Sequence, residues 1–450
     1  MILMMKANKD VLSLFQRKDL MSYDKCRDFL QSFSDEMALP LPVDIKLKQS
    51  QYTIEKHKGR TYVLYNTLYN SMVTMSYTEF EQYRLMAFDE LDLVGVLADN
   101  GFLIPDYTDE FERCRYYQTS LSSMLNDELH LTVALTTKCN AKCIYCYEEG
   151  ICQNDMSLEA AERFAELILN SKKDIDITWF GGEPLIKNDL IECICKILHK
   201  NDVRFTSGII TNGSLLNKEM IETKFSEWNI SWVQITLDGM SEEYMLRKRY
   251  IDTKSDIFDD VIENIGHMIS HNINVSVRLN TDSQNRDECI RTAKFLKEKF
   301  ADSDYLNVYP AFLTGNNALT ESERMTYSTA VYKTYSPELN LLSEVPRICP
   351  CFFEQPGAFV IDTDGSVLCC ERDIGKQHTK ISSIYDIESF DNLEKTGVSV
   401  PKMREQCKRC VYYPKCGGGC KSAYDSNHEY DACFMERYKT EYLINKVIGY

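Results

Sequence analysis

Eighteen cysteines are spread unevenly over 450 residues, and twelve of them fall in three short windows. Cys139, Cys143 and Cys146 follow one another as C-x3-C-x2-C. Cys349, Cys351, Cys369 and Cys370 make a second group, and Cys407, Cys410, Cys416 and Cys420, followed by Cys433, a third. The six others, Cys26, Cys114, Cys152, Cys193, Cys195 and Cys289, are scattered, as small buried hydrophobes would be. In a reducing compartment, clustered thiols are metal or redox ligands. A structural zinc site closes its coordination with four ligands. The first group offers three thiols, and no histidine lies in its loop. Three thiolates around a four-iron cluster leave one iron open, a binding site for substrate or cofactor, whereas a closed cluster only passes electrons. The alternative is a zinc ion completed by one of the seven distant histidines.

Composition bounds the setting of those thiols. A chain of 450 residues predicts about three domains. Hydrophobic residues at 44% and charged residues at 26% supply ample material for large cores. Lys+Arg 51 against Asp+Glu 68 leaves a net charge of −17. That balance argues against nucleic acid as the main partner, because affinity there rests on neutralising phosphates. No apolar run approaches the length of a membrane helix, and Met1 to Asp10 lacks the apolar stretch and cleavage site of a secretory signal. The expectation is a cytoplasmic protein with no membrane and no nucleic-acid partner.

The residues around the first group carry a family resemblance. In Thr137-Lys-Cys-Asn-Ala-Lys-Cys-Ile-Tyr-Cys-Tyr an aromatic residue, Tyr145, precedes the last cysteine. The run resembles the signature of radical S-adenosylmethionine (SAM) enzymes. The resemblance implies that Cys139, Cys143 and Cys146 hold a [4Fe–4S] cluster whose fourth iron is chelated by the amino and carboxylate groups of SAM. It also implies an external one-electron donor of flavodoxin or ferredoxin type. Reductive cleavage of SAM would then give methionine and a 5′-deoxyadenosyl radical that abstracts hydrogen from an unactivated C–H bond.

Toward the C-terminus, C-x2-C-x5-C-x3-C and the lone Cys433, with Cys351, Gly365 and Cys370 upstream, are similar to the seven-cysteine SPASM extension of many radical SAM barrels. That similarity implies two auxiliary [4Fe–4S] clusters. One would use Cys351, Cys370 and Cys420, with Cys349 as a fourth ligand or in place of Cys351. The other would use Cys407, Cys410, Cys416 and Cys433. A pair of zinc-ribbon sites is the alternative. Gly417, Gly418 and Gly419 suit either, since glycines let backbone N–H groups approach thiolates closely. Glu371 follows Cys370 directly, where sulfatase-maturating relatives carry an aspartate base; it is either an acid/base residue or a solvated charge.

Between residues about 130 and 315 the pattern alternates. Apolar strands are predicted at Leu131–Leu135, Ile175–Phe180, Phe205–Ile210, Trp232–Leu237, Val275–Leu279 and Leu306–Tyr309. Helices are predicted at Leu158–Leu169, Leu190–His199, Glu219–Trp228, Phe258–Ser270 and Glu288–Phe300. Parallel strands need crossovers, so the fold class is α/β. Six repeats are too few for a full eight-fold barrel, and the resemblance implies a partial, six-stranded β/α barrel of TIM-like type. Functional residues gather at the C-terminal ends of such strands. Trp179-Phe-Gly-Gly-Glu-Pro-Leu resembles the family's glycine-glycine-glutamate motif, so Gly181, Gly182 and Glu183 are candidates to receive the methionine amino group of SAM. Thr236 matches the ribose contact. Lys248 and Arg249, within Arg247-Lys-Arg249, lie near a family arginine that meets the SAM carboxylate. Tyr145 joins these cofactor contacts; Arg278 and Asn280, ending the fifth strand, either face the cofactor or form a solvated rim.

The expected domains are 1–125, 126–340 and 341–450. Before residue 125, short strands are predicted near Tyr52–Glu55, Tyr62–Tyr65, Met72–Met75 and Phe102–Ile104, with helices at Tyr77–Met86 and Leu91–Asn100. This α+β order resembles the winged-helix leader-recognition domains of peptide-modifying radical SAM enzymes, which offer a strand edge to an extended peptide; a structural cap on the barrel is the alternative. The expected function is modification of a ribosomally made precursor peptide by a thioether or other crosslink. The alternatives are formylglycine formation of the anaerobic sulfatase-maturating type, or, outside catalysis, an iron–sulfur electron carrier or zinc-stabilised scaffold.

Overall fold

The computed structural model describes residues 46–124, 127–251, 257–300, 303–335, 351–376, 378–395, 404–420 and 434–447. They belong to two compact units, one of 1–125, 339–354 and 400–450, the other of 126–338 and 355–399. The segment expected as one cysteine-rich extension therefore contributes to both.

In the first unit, β1 (Leu47–Gln49) pairs antiparallel with β5 (Leu103–Pro105), while β2 (Thr53–Lys58), β3 (Thr61–Asn66) and β4 (Ser71–Met75) form a three-stranded antiparallel sheet. Helix Tyr77–Leu85 begins where Ser76 and Glu79 cap each other's backbone N–H groups. Helices Leu91–Asp99 and Glu110–Met124 follow. Leu64, Val73, Phe80, Tyr83, Leu97 and Phe102 form one core. A second brings Tyr52, Leu68, Phe111 and Cys114 against Cys407 and Tyr413, and a third joins Ile54, Val63 and Tyr65 to Ile444 of the terminal helix Phe434–Val447. The cysteine-bearing segment 404–420 is thus packed on the N-terminal strands and helices within one unit.

The second unit is built on a nine-stranded sheet. Its six central strands are β6 (Glu128–Thr136), β7 (Asp174–Gly181), β8 (Phe205–Thr211), β9 (Ile230–Thr236), β10 (Asn274–Thr281) and β11 (Leu306–Phe312), parallel and in sequence order. Every strand expected between 130 and 315 is present. Helix Leu158–Leu169 starts at Ser157, whose Oγ accepts from the Ala160 N–H at 3.0 Å, and buries Ala161, Phe164, Ala165 and Ile168. The helix expected at Glu219–Trp228 is instead a π-helical turn, Met220–Lys224, running into Phe225–Glu227. Beyond the expected strands, β12 (Ala358–Ile361) adds to the free edge of β6 in parallel, and β13 (Ser366–Leu368) and β14 (Lys380–Ser383) continue antiparallel. The mixed α/β sheet with six parallel strands is the architecture of a partial β/α barrel.

Near the start of β6, His130 lies between the Glu128 and Asp176 carboxylates, each 3.4 Å away. Burial opposes its charge, but the two carboxylates outweigh burial and raise its pKa from 6.5 to about 9. A raised folded-state value gives stabilisation that is complete below about pH 6.5 and disappears as pH rises through about 9. His130→Gln is expected to remove this slope. The wild type should exceed the variant by on the order of 2 kcal/mol at the acidic end and converge with it at the alkaline end, as read from denaturant unfolding across that range.

Candidate active site

The first cysteine loop leaves β6 at Thr136 and is gripped on two sides. On one side is the end of β7. The Gly182 N–H donates to the Thr136 carbonyl at 2.8 Å and the Glu183 N–H to the Lys138 carbonyl at 2.9 Å. A Cβ on Gly181 would sit 2.1 Å from the Thr136 oxygen, and one on Gly182 2.4 Å from the Lys138 oxygen. Gly181 also has φ +127°, a region that side chains avoid. Both glycines thus serve close approach to the backbone that leads into Cys139.

On the other side is the C-terminal end of helix Ser241–Lys248. The Lys142 N–H donates to the carbonyls of Lys248 and Arg249 at 3.0 and 3.1 Å, and the Ile144 N–H to that of Arg247 at 3.0 Å. Ile251 returns the pattern by donating to the Asn140 carbonyl at 2.9 Å. Carbonyls that a helix end leaves without intrahelical partners are met by the loop's own N–H groups.

Two side-chain networks complete the seat. Glu183 is fully buried. Its Oε1 accepts from Thr211 Oγ1 at 2.7 Å and from the Leu185 N–H at 3.2 Å, and its Oε2 from the Asn212 N–H at 2.8 Å. The carboxylate expected to meet an ammonium therefore ties the ends of β7 and β8 together. Burial raises its pKa against those donors. Asn212 Nδ2 reaches Asn140 Oδ1 at 2.8 Å, and Asn140 Nδ2 reaches Ser214 Oγ at 2.8 Å. In the second network, the Tyr145 hydroxyl donates to Asp238 Oδ2 at 2.5 Å, Lys248 Nζ donates to the Tyr145 oxygen at 3.0 Å, and Lys248 lies 3.4 Å from Asp238 Oδ2. Asp238 and Lys248 are 0% and 3% exposed. Burial works against the Lys248 ammonium, but the negative charge of Asp238 outweighs it and raises its pKa.

The expected residues fall out as follows. Lys248 points inward, whereas Arg249, with φ 50°, caps the helix and is exposed. Arg247 is buried on Asp282 at 2.7 Å. Thr236 stands beside Arg278 across the β9–β10 register, and Asn280 is buried on β10. Glu371 is exposed on the turn after Cys370, yet surrounding protein raises its carboxyl pKa against the pull of Arg278 and Arg372. Cys351 and Cys420 belong to the first unit and Cys370 to the second. Cys407, Cys410 and Cys416 share the first unit, where Gly417, Gly418 and Gly419 all have positive φ and the Gly418 N–H donates to Cys416 Sγ at 3.4 Å. Cys349 and Cys433 lie outside the described residues. Asn140, Asn212, Ser214 and Asp238 are site residues that no expectation named, although Asn212 and Asp238 sit at strand ends, where polar residues are a signal.

The residues fit a cluster and a polar ligand. Cys139, Cys143 and Cys146 are all unpaired thiols. Burial raises each thiol pKa, that of Cys139 to about 12, while Lys248 pulls Cys143 back. Sulfurs spaced along a loop are the donor set of a multi-iron centre. Among the described residues, buried Asp238 Oδ1 and Asn280 Oδ1 meet no hydrogen-bond donor, and both residues interact with Tyr145. Such acceptors are what hydroxyl or ammonium groups of a bound ligand would satisfy.

Comparison with known proteins places this geometry. Residues 133–296 match the radical SAM superfamily, so the chain carries a radical SAM domain. An uncharacterized protein of Methanocaldococcus jannaschii is 34% identical over 126 residues, 28% of this chain and 43% of that protein. A probable GTP 3′,8-cyclase of Methanothermobacter marburgensis is 34% identical over 130 residues, 27% of this chain and 40% of the relative. This chain thus spans less than half the length of these relatives. A cysteine-type anaerobic sulfatase-maturating enzyme of Clostridium novyi is 25% identical over 354 residues, 68% of this chain and 91% of the relative. Native anSMEcpe with bound AdoMet superposes with a TM-score of 0.58 at 18% identity, over 71% of this chain and 98% of that one, which shows a shared fold.

Two substitutions test the seat. Gly181→Ala is expected to push the Thr136–Lys138 backbone away, lowering stability by about 2 kcal/mol or more and lowering iron and sulfide per chain after anaerobic reconstitution. Lys248→Met leaves the Asp238 carboxylate buried and unpaired. It should cost about 3 kcal/mol in unfolding of the metal-free chain, and adding Asp238→Asn should restore most of the loss.

Proposed function

We propose that this chain is a radical SAM enzyme that modifies a ribosomally made precursor peptide, joining side chains through a thioether or other crosslink. The observation that carries the reading is the clamped loop of three unpaired thiols at the C-terminal ends of parallel strands, with buried unpartnered acceptors beside it. Cys139, Cys143 and Cys146 would hold a [4Fe–4S] cluster, and Tyr145, Gly181, Gly182, Thr236, Lys248, Arg278 and Asn280 would line the SAM site. When bound, this pair supplies hydrogen-atom abstraction from an unactivated carbon. The chain's own contributions are positional. Glu183 and Asn212 hold the loop's first cysteine in place, and the Asp238–Lys248–Tyr145 network fixes its last turn. Glu371 offers a carboxylate for the proton released as the substrate is oxidised. Cys407, Cys410 and Cys416 with Cys433 would hold one auxiliary cluster; for a second, the resemblance implies Cys351, Cys370 and Cys420, with Cys349 as a fourth ligand or in place of Cys351.

Peptide selection is assigned to the N-terminal part of the first unit. The sulfatase-maturating relative is aligned over 91% of its own length yet uses only 68% of this chain. What remains here is additional sequence, and the first unit carries an antiparallel sheet of the kind that accepts an added strand. The same relative favours a second reading, formylglycine formation on a polypeptide cysteine, with Glu371 as the base after Cys370.

Anaerobically reconstituted enzyme, reduced and given SAM, is expected to form 5′-deoxyadenosine, and Cys139→Ala to form none. Mass spectrometry of candidate precursor peptides should show loss of two hydrogens. Replacement of a thiol by an aldehyde in a sulfatase-derived peptide would establish the second reading instead, and no 5′-deoxyadenosine with any peptide would sink both.

A further inference from the structure

In the first unit two buried side-chain donors stand close to the cysteines of segment 404–420. Tyr52 is 0% exposed and Gln118 9%. Among the described residues the Tyr52 hydroxyl and Gln118 Nε2 meet no hydrogen-bond partner. Gln51 acts on the Tyr52 hydroxyl from nearby but stops short of a bond. The backbone around Tyr52 is tied to the cysteine segment on two sides. Gln51 Nε2 donates at 3.5 Å to the carbonyl of Lys408, the residue after Cys407. The Thr67 N–H donates to the Tyr52 carbonyl at 3.0 Å, and Thr67 Oγ1 donates to the carbonyl of Val411, the residue after Cys410. Tyr52 and Cys407 share one buried core with Phe111, Cys114 and Tyr413, and Cys410 packs against it. Gln118 comes from helix Glu110–Met124, on the face that also carries Phe111 and Cys114. Its Oε1 accepts from the Tyr413 hydroxyl at 3.2 Å, so the N–H end of the amide is the one left over. Tyr413 opens the helical turn that ends at Cys416.

We propose that Tyr52 and Gln118 donate hydrogen bonds to the sulfurs of the centre that Cys407, Cys410 and Cys416 would hold, and so raise its reduction potential. The inference rests on the reading that these cysteines, with Cys433, bind an iron–sulfur cluster. A buried polar group without a partner is costly, and native proteins keep one where a bound group supplies the partner. Both side chains here are donors, so what they lack is an acceptor. Thiolates and the sulfides they enclose are the acceptors that this segment would gather. Reduction adds negative charge to such a centre, so hydrogen bonds to its sulfurs stabilise the reduced form more than the oxidised one. No cysteine spacing specifies either donor. A strand neighbour and a helix from the N-terminal part of the unit supply them, and the redox poise of the centre is set there.

The test uses the full chain, anaerobically reconstituted, with Cys139, Cys143 and Cys146 all changed to Ala so that only auxiliary centres remain. Redox titration followed by electron paramagnetic resonance gives their potentials, and the signal lost in an added Cys407→Ala assigns the centre. At the solution potential that half-reduces this centre in the parent, Tyr52→Phe is expected to show a reduced-to-oxidised ratio about ten-fold lower, a shift of about 59 mV to more negative potential. Gln118→Met should shift it in the same direction, and Tyr116→Phe, at an exposed position of the same helix, should not. In heavy water, pulsed resonance of the reduced centre should show an exchangeable deuteron whose coupling weakens in Tyr52→Phe. Iron and sulfide per chain should equal the parent's, and the metal-free variant should unfold at no lower denaturant concentration, since it forfeits no bond within the protein. An unchanged potential in Tyr52→Phe or Gln118→Met, in a chain with its full iron, would overturn the assignment of that residue and leave the cluster reading standing. A Tyr52→Phe chain that lost iron or unfolded earlier would also overturn it, by giving the hydroxyl a role in folding. A parent that takes up zinc but no iron and sulfide would overturn the cluster reading and this inference together.

Discussion

A loop that must present three sulfurs on one side has its own peptide groups to satisfy on the other. In this protein the solution is a backbone clamp. Gly182 and Glu183 donate into the loop from β7, while Lys142 and Ile144 donate out of it to the open carbonyls at the end of helix Ser241–Lys248. The clamp requires that Gly181 and Gly182 lack side chains, because their backbone runs against Thr136 and Lys138 at distances no Cβ permits. It also requires that helix to stop where it does, and Arg249 stops it by entering the left-handed region. The positions of the cysteines thus depend on two neighbouring β-α units, not on the loop alone.

Behind the clamp lies charge that is costly to bury. Asp238 and Lys248 are almost wholly out of water, and such a pair does little for stability compared with apolar residues of similar size. Its retention is better understood through geometry. Tyr145 stands in the cysteine loop, between Cys143 and Cys146 in the chain, and its hydroxyl is engaged by both charged partners. A charged pair fixes the ring by directional bonds, where an apolar contact would leave it free to slide. Glu183 plays the same part at Cys139: three donors converge on one carboxylate, and two strand ends are fixed relative to the first sulfur.

Much of this is legible in the amino-acid sequence. The six parallel strands and helix Leu158–Leu169 follow from apolar periodicity and a capping serine, because a sheet covered on both faces leaves continuous apolar runs. Other features have no local signal. Strand β12 joins β6 across more than two hundred residues, and no spacing within Ala358–Ile361 names that partner. The π-helical turn at Met220–Lys224 has the periodicity of an ordinary helix. Three successive cations at 247–249 cannot be told apart in sequence, since successive helical residues point about 100° apart. Packing sends Arg247 to Asp282, Lys248 to Asp238 and Arg249 to solvent. Gly365, a spacing landmark in the sequence, closes the turn between β12 and β13 with φ +81°.

The same reasoning applies to the other cysteine-bearing segment, 404–420, which has little regular structure of its own. A short turn at Glu405–Arg409 and four helical residues at Tyr413–Cys416 cannot bury enough apolar surface to be stable alone. Their packing comes from distant parts of the chain. The Tyr413 ring lies against Phe111, its hydroxyl donates to Gln118 at 3.2 Å, Lys415 donates to Asn70 at 2.8 Å, and Thr67 donates to the Val411 carbonyl. Lys56 and Tyr412 both reach Glu441 of the terminal helix. Removing the N-terminal strands would therefore take away the scaffold on which Cys407, Cys410 and Cys416 are ordered. Peptide selection and ordering of a cysteine cluster would be properties of one cooperative unit, because the same residues that build the antiparallel sheet also hold the segment that bears the thiols.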